Sequence, residues 1–469
     1  MRRPPPKWRW NCAAADEQEF PVTGKERVIG TIEGRKTDKV PWVPFTGVHA
    51  GKLLGYHART VSTDVDSVVE AACEVNRLYH PDGQPVMFDL QIEAELLGCE
   101  MLWSDDGPPS VSSHPLAEIT TIPTRIPGPT EGRLEVELEA TRRLKAAIGA
   151  TTALYGVCTG PFTLASHLRG TEIFMDLILE PEYVHGLLAY ATTVVQAVCS
   201  YLIEAGIDVV AVTDPLISQI SPDHFAQFMH GPFTRVFDTI GEQGAKSSFF
   251  VCGNATRNIE PMCRTGCDSI SVDENVDLAT AKTTTDRYKI TLGGNIPLTS
   301  VMLFGNQLDN MKAVVQLIDS VPAGRLIISP GCDMPYDTPI ENVIAAEHAV
   351  HETDSARAMV RNYERKDIGF AGTLPDYGQL EKPLVEVFTL DSATCAACTY
   401  MWAAALDAVA HIDAAIDVIE YKYTVPENIA RCREVGVKQL PSIYINGKLA
   451  YSSIIPSRDE LVARIREVL

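Results

Sequence analysis

Short apolar runs rich in β-branched residues recur along the first two-thirds of the chain with helical stretches between them. This repetition limits the fold more than any other feature. The runs are Val40–Phe45, Pro85–Asp89, Ala153–Val157, Val209–Asp214, Ser247–Cys252, Ser269–Asp273, Ile290–Asn295 and Leu326–Pro330. They are near-continuous rather than alternating, as expected for parallel strands covered on both faces. The pieces between them, such as Thr192–Glu204 and Gln307–Asp319, have helical period. Alternating strand and helix implies a parallel sheet. Eight repeats imply a (β/α)8 TIM barrel over residues 21–365. Residues 1–20, basic and then acidic without an apolar stretch, read as a disordered tail.

The ends of the runs turn polar, and a barrel collects its strand ends at one mouth. Those ends are His49, Asp89, Cys158 with Thr159, Asp214, Cys252 with Asn254, Asp273 with Glu274, Asn295, and Cys332 with Asp333. A polar strand end can equally be an ordinary turn; eight converging ends favour a site. Cys252 and Cys332 each adjoin a glycine, where backbone can approach a ligand closely. They are too far apart in sequence for a zinc finger, but a barrel brings strands five and eight to a common mouth. Two thiolates and a carboxylate such as Glu274 then make a zinc shell with an open position.

Net charge is −21, from 40 basic and 61 acidic residues. Such a surface repels phosphate backbones, so nucleic acid is not an expected partner, and solubility is the simpler meaning of the charge. No run reads as a membrane span; Ala189–Ile203 is interrupted by Gln196 and Ser200. The expected location is cytoplasmic. In that reducing setting the 12 cysteines should be thiols, ligands or catalytic groups rather than a disulfide framework. Cys73, Cys99 and Cys199 read as core residues.

Several stretches together resemble the uroporphyrinogen decarboxylase superfamily, in its zinc- and corrinoid-dependent methyltransferase branch. They are Arg35–Pro41, His49–Tyr56, Gly160–Ser166, Cys252-Gly-Asn254, Gly293–Pro297, Ser329–Cys332 and Asp337–Asn342. The Cys252/Cys332 pair favours that branch. The decarboxylase branch works without metal through arginines and an aspartate, and His49-Ala-Gly replaces that pattern here. The resemblance implies zinc held by a His-x-Cys motif and a distant cysteine, which activates an acceptor thiol toward a methyl-corrinoid. This chain lacks the Asp-x-His-x-x-Gly corrinoid motif, so a corrinoid protein is the expected partner, with a small thiol or methyl donor as substrate. The first ligand position is Phe250, which cannot coordinate. Asp273, Glu274, His49 or Asp333 would have to complete the shell. Otherwise the site is metal-free, or the pocket remains and methyl transfer is lost.

After a Gly- and Pro-containing linker at 366–382, residues 383–469 read as strand Leu384–Leu390, helix Thr399–Val409, strand Val418–Tyr423, helix Pro426–Glu434, a hairpin turning at Asn446-Gly447, and helix Arg458–Leu469. This order, with Cys395-Ala-Ala-Cys398 ahead of the first helix and Leu440-Pro441 before the hairpin, resembles a small thioredoxin-like α/β domain. A cysteine at a helix N-terminus is a favoured thiolate, and a second one turn later resolves a mixed disulfide. The expected catalytic residues are therefore Cys395, Cys398, Asp273 and His49. Asp89, Asp214, Asn254, Asn295 and Pro441 are expected to bind substrate, and Cys252, Cys332 and Glu274 to bind metal. The fused dithiol could maintain the barrel's thiols, accept or carry the methyl group, or serve as a docking module. A thiol-disulfide oxidoreductase with a ligand-binding barrel, or a metal-free decarboxylase-like lyase, are the alternatives to methyl transfer.

Overall fold

The computed structural model describes residues 22–365, 373–392, 396–452 and 455–469. Cys395 and part of the 366–382 segment lie outside them.

Seven parallel strands form one sheet in sequence order: Gly83–Pro85, Ala153–Thr159, Val209–Thr213, Lys246–Val251, Ser269–Val272, Thr291–Ile296 and Leu326–Pro330. All but Lys246 of their residues are buried, as both faces are covered. The outer face packs on helices such as Pro181–Ala205 and His230–Glu242. At Gly156 a side chain would meet Ile207 at 3.0 Å, so the glycine lets the neighbouring chain lie close. The inner face closes on Val43, Phe45, Phe88, Tyr155, Val157, Ala211, Phe250 and Ile327.

The expected first strand, Val40–Phe45, is corrected to a single bridging residue. Pro41 and Pro44 have no N–H to give a ladder, and only Trp42 bridges to Ile328. That residue still joins the two edges of the sheet. Val43 N–H donates to Ile328 O at 3.0 Å, and on the other side Asp82 N–H donates to Trp42 O at 2.9 Å. The Asp82 carboxylate returns the contact, accepting from Trp42 N–H at 2.8 Å. It also pairs with Arg27 on the first helix and with His351, whose Nε2 lies 3.1 Å away, at the end of helix Ile340–His351. The second expected strand likewise shortens and shifts to Gly83–Pro85.

Helix Pro181–Ala205 is long and apolar enough, by length and composition, to cross a membrane. Here Val184, Leu187, Val194, Val198 and Leu202 bury its apolar face in the barrel's outer core. Pro181 starts it and Gly206, at φ 118°, ends it.

The C-terminal residues follow the element order read from the sequence. Leu384–Thr389 lies between Asp417–Lys422, which is parallel to it, and Ser442–Ile445, which is antiparallel; Lys448–Ser452 completes a four-stranded sheet. Helices Ala396–Ala410, Pro426–Val435 and Arg458–Arg466 accompany it. Asn446 and Gly447 both take positive φ, 47° and 74°, as a tight hairpin turn requires. The Leu440–Pro441 peptide is cis.

This unit is docked on the barrel. Tyr400, 4 % exposed, is part of the barrel's own hydrophobic core. Its hydroxyl accepts from Ser166 Oγ at 3.0 Å, and its ring meets Phe174 edge-on at 6.4 Å.

The closure at Asp82 makes a pH prediction. Burial opposes charge on His351, but hydrogen bonds and attraction from Asp82 and Glu347 outweigh it and hold the imidazolium up to about 9. The folded value is raised above the ordinary 6.5, so this stabilisation is complete below about pH 6.5 and is lost as pH rises through about 9. The loss should be on the order of 3 kcal/mol. Thermal unfolding from pH 6 to 10 should show the decline in wild type and a flatter profile in His351→Gln.

Candidate active site

The strand ends open into a cavity of about 690 Å³, walled on one side by the barrel mouth and on the other by the C-terminal unit. Cys252 follows strand Lys246–Val251, and Cys332 follows Leu326–Pro330 one residue after Gly331. The curl of the sheet brings their Cα atoms to 5.9 Å, and their sulfurs form a disulfide. Asp273, Glu274 and Asp333 line the same space from the barrel, as do Cys398, Tyr423, Arg433, Leu440 and Pro441 from the other unit.

The carboxyls are held in an unusual state. Burial pushes Glu274 well above the usual range, and the neighbouring Asp273 adds to it; burial and then Asp89 do the same for Asp333. Glu274 Oε2 and Asp333 Oδ1 are enclosed and have no hydrogen-bond partner among the described residues. Burial also raises Asp273, although backbone and side-chain donors of Asn275 and the Gly253 N–H oppose it.

The other residues singled out from sequence serve the walls of the mouth. Asp214 caps helix Pro161–Arg169, accepting from Phe162 N–H at 2.9 Å, Thr163 N–H at 3.2 Å and Thr163 Oγ1 at 2.6 Å. Burial raises its carboxyl to about 7 despite those bonds. Asn295 Nδ2 donates to Asp273 O at 2.9 Å and Val276 O at 2.8 Å, fixing the loop that carries Glu274. Asn254 Oδ1 accepts from Thr256 N–H at 3.1 Å. Asp89 is buried in an ion pair with Arg133. His49 has both ring nitrogens engaged, one 2.9 Å from Tyr336 O and the other 2.8 Å from Tyr79 Oη. Burial lowers its pKa to about 4. None of these five residues lines the cavity, whereas Cys252, Cys332, Asp273, Glu274, Cys398 and Pro441 do. Cys395 lies outside the described residues. Tyr423, Arg433 and Lys438 also line the cavity. No local motif marks them, because only the docking of the C-terminal unit brings them there.

Phe250 sits below the disulfide in an aromatic plug. Its ring centroid lies 4.9 Å from Phe45 and 5.8 Å from Phe88, and Phe45 in turn meets Tyr155 at 5.8 Å. The residues in this state do not fit a zinc ion. Both sulfurs are bonded to each other, Phe250 offers no donor atom, and no group of three or more His, Cys, Asp or Glu among the described residues is arranged to hold a metal.

The uroporphyrinogen decarboxylase (URO-D) family matches residues 23–353, more than half the chain. The chain belongs to the uroporphyrinogen decarboxylase family. Among its relatives is the methylcobamide:CoM methyltransferase MtbA of Methanosarcina acetivorans, 28 % identical over 329 residues, covering 68 % of this chain and 95 % of the relative. A uroporphyrinogen decarboxylase of Wolbachia sp. subsp. Brugia malayi is 26 % identical over 342 residues, covering 69 % and 94 %. A solved methyltransferase structure from Methanosarcina mazei superposes with a TM-score of 0.65 at 25 % identity, over 71 % of this chain and 99 % of that one. Within the family it is the methyltransferase relatives and the methyltransferase structure, not the decarboxylase, that support reading the chain as an enzyme of the methyltransferase class.

Phe250 gives the site's prediction. Phe250→His would bury imidazole nitrogens among Phe45 and Phe88. Leaving such polar atoms unpaired should lower stability by about 1–3 kcal/mol, measured by thermal unfolding of the disulfide-bonded protein.

Proposed function

We propose that the enzyme moves a methyl group between a corrinoid carried by a partner protein and a small thiol bound at the barrel mouth, and that residues 383–469 are a thioredoxin-like dithiol unit serving the thiols of that mouth. The observation that carries this reading is the shared cavity, which has Cys252 and Cys332 on one wall and Cys398 on the other. The corrinoid would supply a methyl group that a thiolate can take. The chain's own part is to bind the acceptor, exclude water and manage its proton. The enclosed carboxyls of Glu274 and Asp333, raised by burial, suit hydrogen bonding to a neutral thiol rather than repelling an anion. Arg433 and Lys438 place positive charge on the opposite wall, where an acidic group on a small thiol would be held. The order of the C-terminal elements, and the lining of one cavity by both Cys398 and Pro441, support the dithiol reading. A reducing, cytoplasmic setting is part of the same proposal.

Zinc enters this reading only for the opened pair, because a thiolate is the ligand and a disulfide sulfur is not. Zinc uptake, measured by elemental analysis, should therefore require prior reduction of the protein. Stoichiometric zinc in protein with the disulfide intact would contradict this.

Methyl transfer is tested with free methylcobalamin and a panel of small thiols, following the loss of methyl-corrinoid absorbance by the reduced full-length protein. Turnover is expected, and Cys332→Ala should lower it at least about a hundredfold, the scale of losing one stabilising group at a reacting centre. A second reading, a thiol-disulfide oxidoreductase with a ligand-binding barrel, is favoured by a disulfide that lines the same cavity as Cys398. Insulin reduction without any methyl transfer would select it.

A further inference from the structure

The cavity of about 690 Å³ falls in the range of sites for drug-sized ligands, about 300–1,000 Å³. A two-carbon thiol would leave most of it unused. Part of its wall is made by helix Pro161–Arg169, through Thr163 and His167, and by the turn Pro215–Gln219 packed against that helix, through Ser218 and Gln219. Asp214 ties the two together, capping the helix from the residue just before the turn.

Two polar atoms on this wall, His167 Nδ1 and Gln219 Oε1, have no hydrogen-bond partner among the described residues. Their residues are only 3 % and 5 % exposed, and buried polar groups are normally paired. Thr163 and Ser218 beside them follow that rule: Thr163 Oγ1 donates to Asp214, and Ser218 Oγ to Pro215 O at 2.7 Å. His167 makes its bonds through its backbone carbonyl, which accepts from Cys99 Sγ at 3.4 Å and lies 2.8 Å from His114 Nδ1.

The turn is braced. Asn258 Nδ2 donates to Ile217 O at 2.8 Å and to Ile220 O at 3.0 Å, and Arg257 donates to Ser218 O at 3.0 Å. Gln219 Nε2 donates to Ser218 Oγ at 2.9 Å, which leaves the amide oxygen as the open acceptor. The turn also lies against the mouth sulfurs' own loop. A side chain at Gly253, the residue after Cys252, would meet Ser218 Oγ at 2.8 Å.

The chemistry of this wall selects its ligand. Burial, then the neighbouring His114, lower the His167 imidazole to about 3. The ring is therefore neutral and carries one N–H and one bare nitrogen. A carboxylate or sulfonate has no hydrogen to give Gln219 Oε1, and an ammonium has no acceptor for an imidazole N–H. A peptide-type amide has both, an N–H for Gln219 and a carbonyl for His167.

We propose that His167 and Gln219 form a neutral subsite for a peptide-type amide, so that the thiol used by this enzyme carries an amide as well as an acidic group. This rests on reading the mouth as a thiol site. It assigns the acceptor to the class of amide-bearing thiols and makes these two side chains its specificity determinants.

The test compares two thioethers, which cannot exchange with the protein's cysteines, by ligand NMR titration of the full-length protein. N-acetyl-S-methylcysteine has the acid and the amide; 3-(methylthio)propanoate has the acid alone. Wild type should bind the first at least about tenfold more tightly, the scale of satisfying a buried polar group. In His167→Phe and in Gln219→Leu that preference should fall below about threefold, as the partner is gone, while binding of the acid-only probe stays as in wild type. Equal binding of the two probes by wild type overturns the subsite without recourse to any variant, as does a preference that survives both substitutions. Methyl transfer from methylcobalamin to simple acidic thiols, together with equal binding of the probes, would overturn the subsite and leave the functional reading intact. An amide preference lost in both variants, with no methyl transfer to any thiol, would keep the subsite and overturn that reading.

Discussion

Everything at the mouth depends on how the sheet's two edges meet. Trp42 bridges them, and Asp82 holds Trp42 by both backbone and side chain while engaging Arg27 and His351. A buried carboxylate with several charged and hydrogen-bonded partners is costly to disrupt. It ties the first helix, the bridging segment, the first strand and the helix after the last strand into one knot. That knot lies at the base of the strands. At their other ends, the curl it preserves sets Cys252 and Cys332 within bonding reach.

Between base and mouth stands the aromatic plug. Phe45 comes from the bridging segment, Phe88 from beyond the first strand, Tyr155 and Phe250 from the walls. Edge-to-face contacts of this kind add to the burial they already represent. At Phe250 the chain has a packing residue where the metal-binding pattern it resembles has a ligand.

Much of this was legible from residue pattern. The parallel strands announced themselves as apolar runs, and their ends marked Cys252, Cys332, Asp273 and Glu274 as neighbours in space. The C-terminal order was readable because each element had its own period and the hairpin its Asn446-Gly447 turn. What the sequence did not reveal were the long-range choices. Pro41 and Pro44 reduce the expected first strand to a bridge, while its apolar content reads as an ordinary strand. His49, Asp214 and Asn295 end their runs as polar residues, but they spend their hydrogen bonds on loops and a helix end rather than on the cavity. Tyr400 looks like one more apolar helix residue, and nothing local says that it enters a different core. The disulfide was unexpected too, because compartment arguments favour thiols and only the fold brings the two sulfurs together.

On the proposed dithiol reading, the docking by Tyr400 would also set the kinetics available to this molecule. A reductant that must diffuse to a buried disulfide acts at its bulk concentration and slows as the protein is diluted. A thiol joined by a linker acts at an effective concentration in the millimolar range. One that is also docked forgoes most of the remaining search. Fusion with docking would make the barrel's oxidation state follow the poise of the external reductant that recharges the tail, not the abundance of the enzyme. Each molecule would then report on its surroundings independently of every other copy.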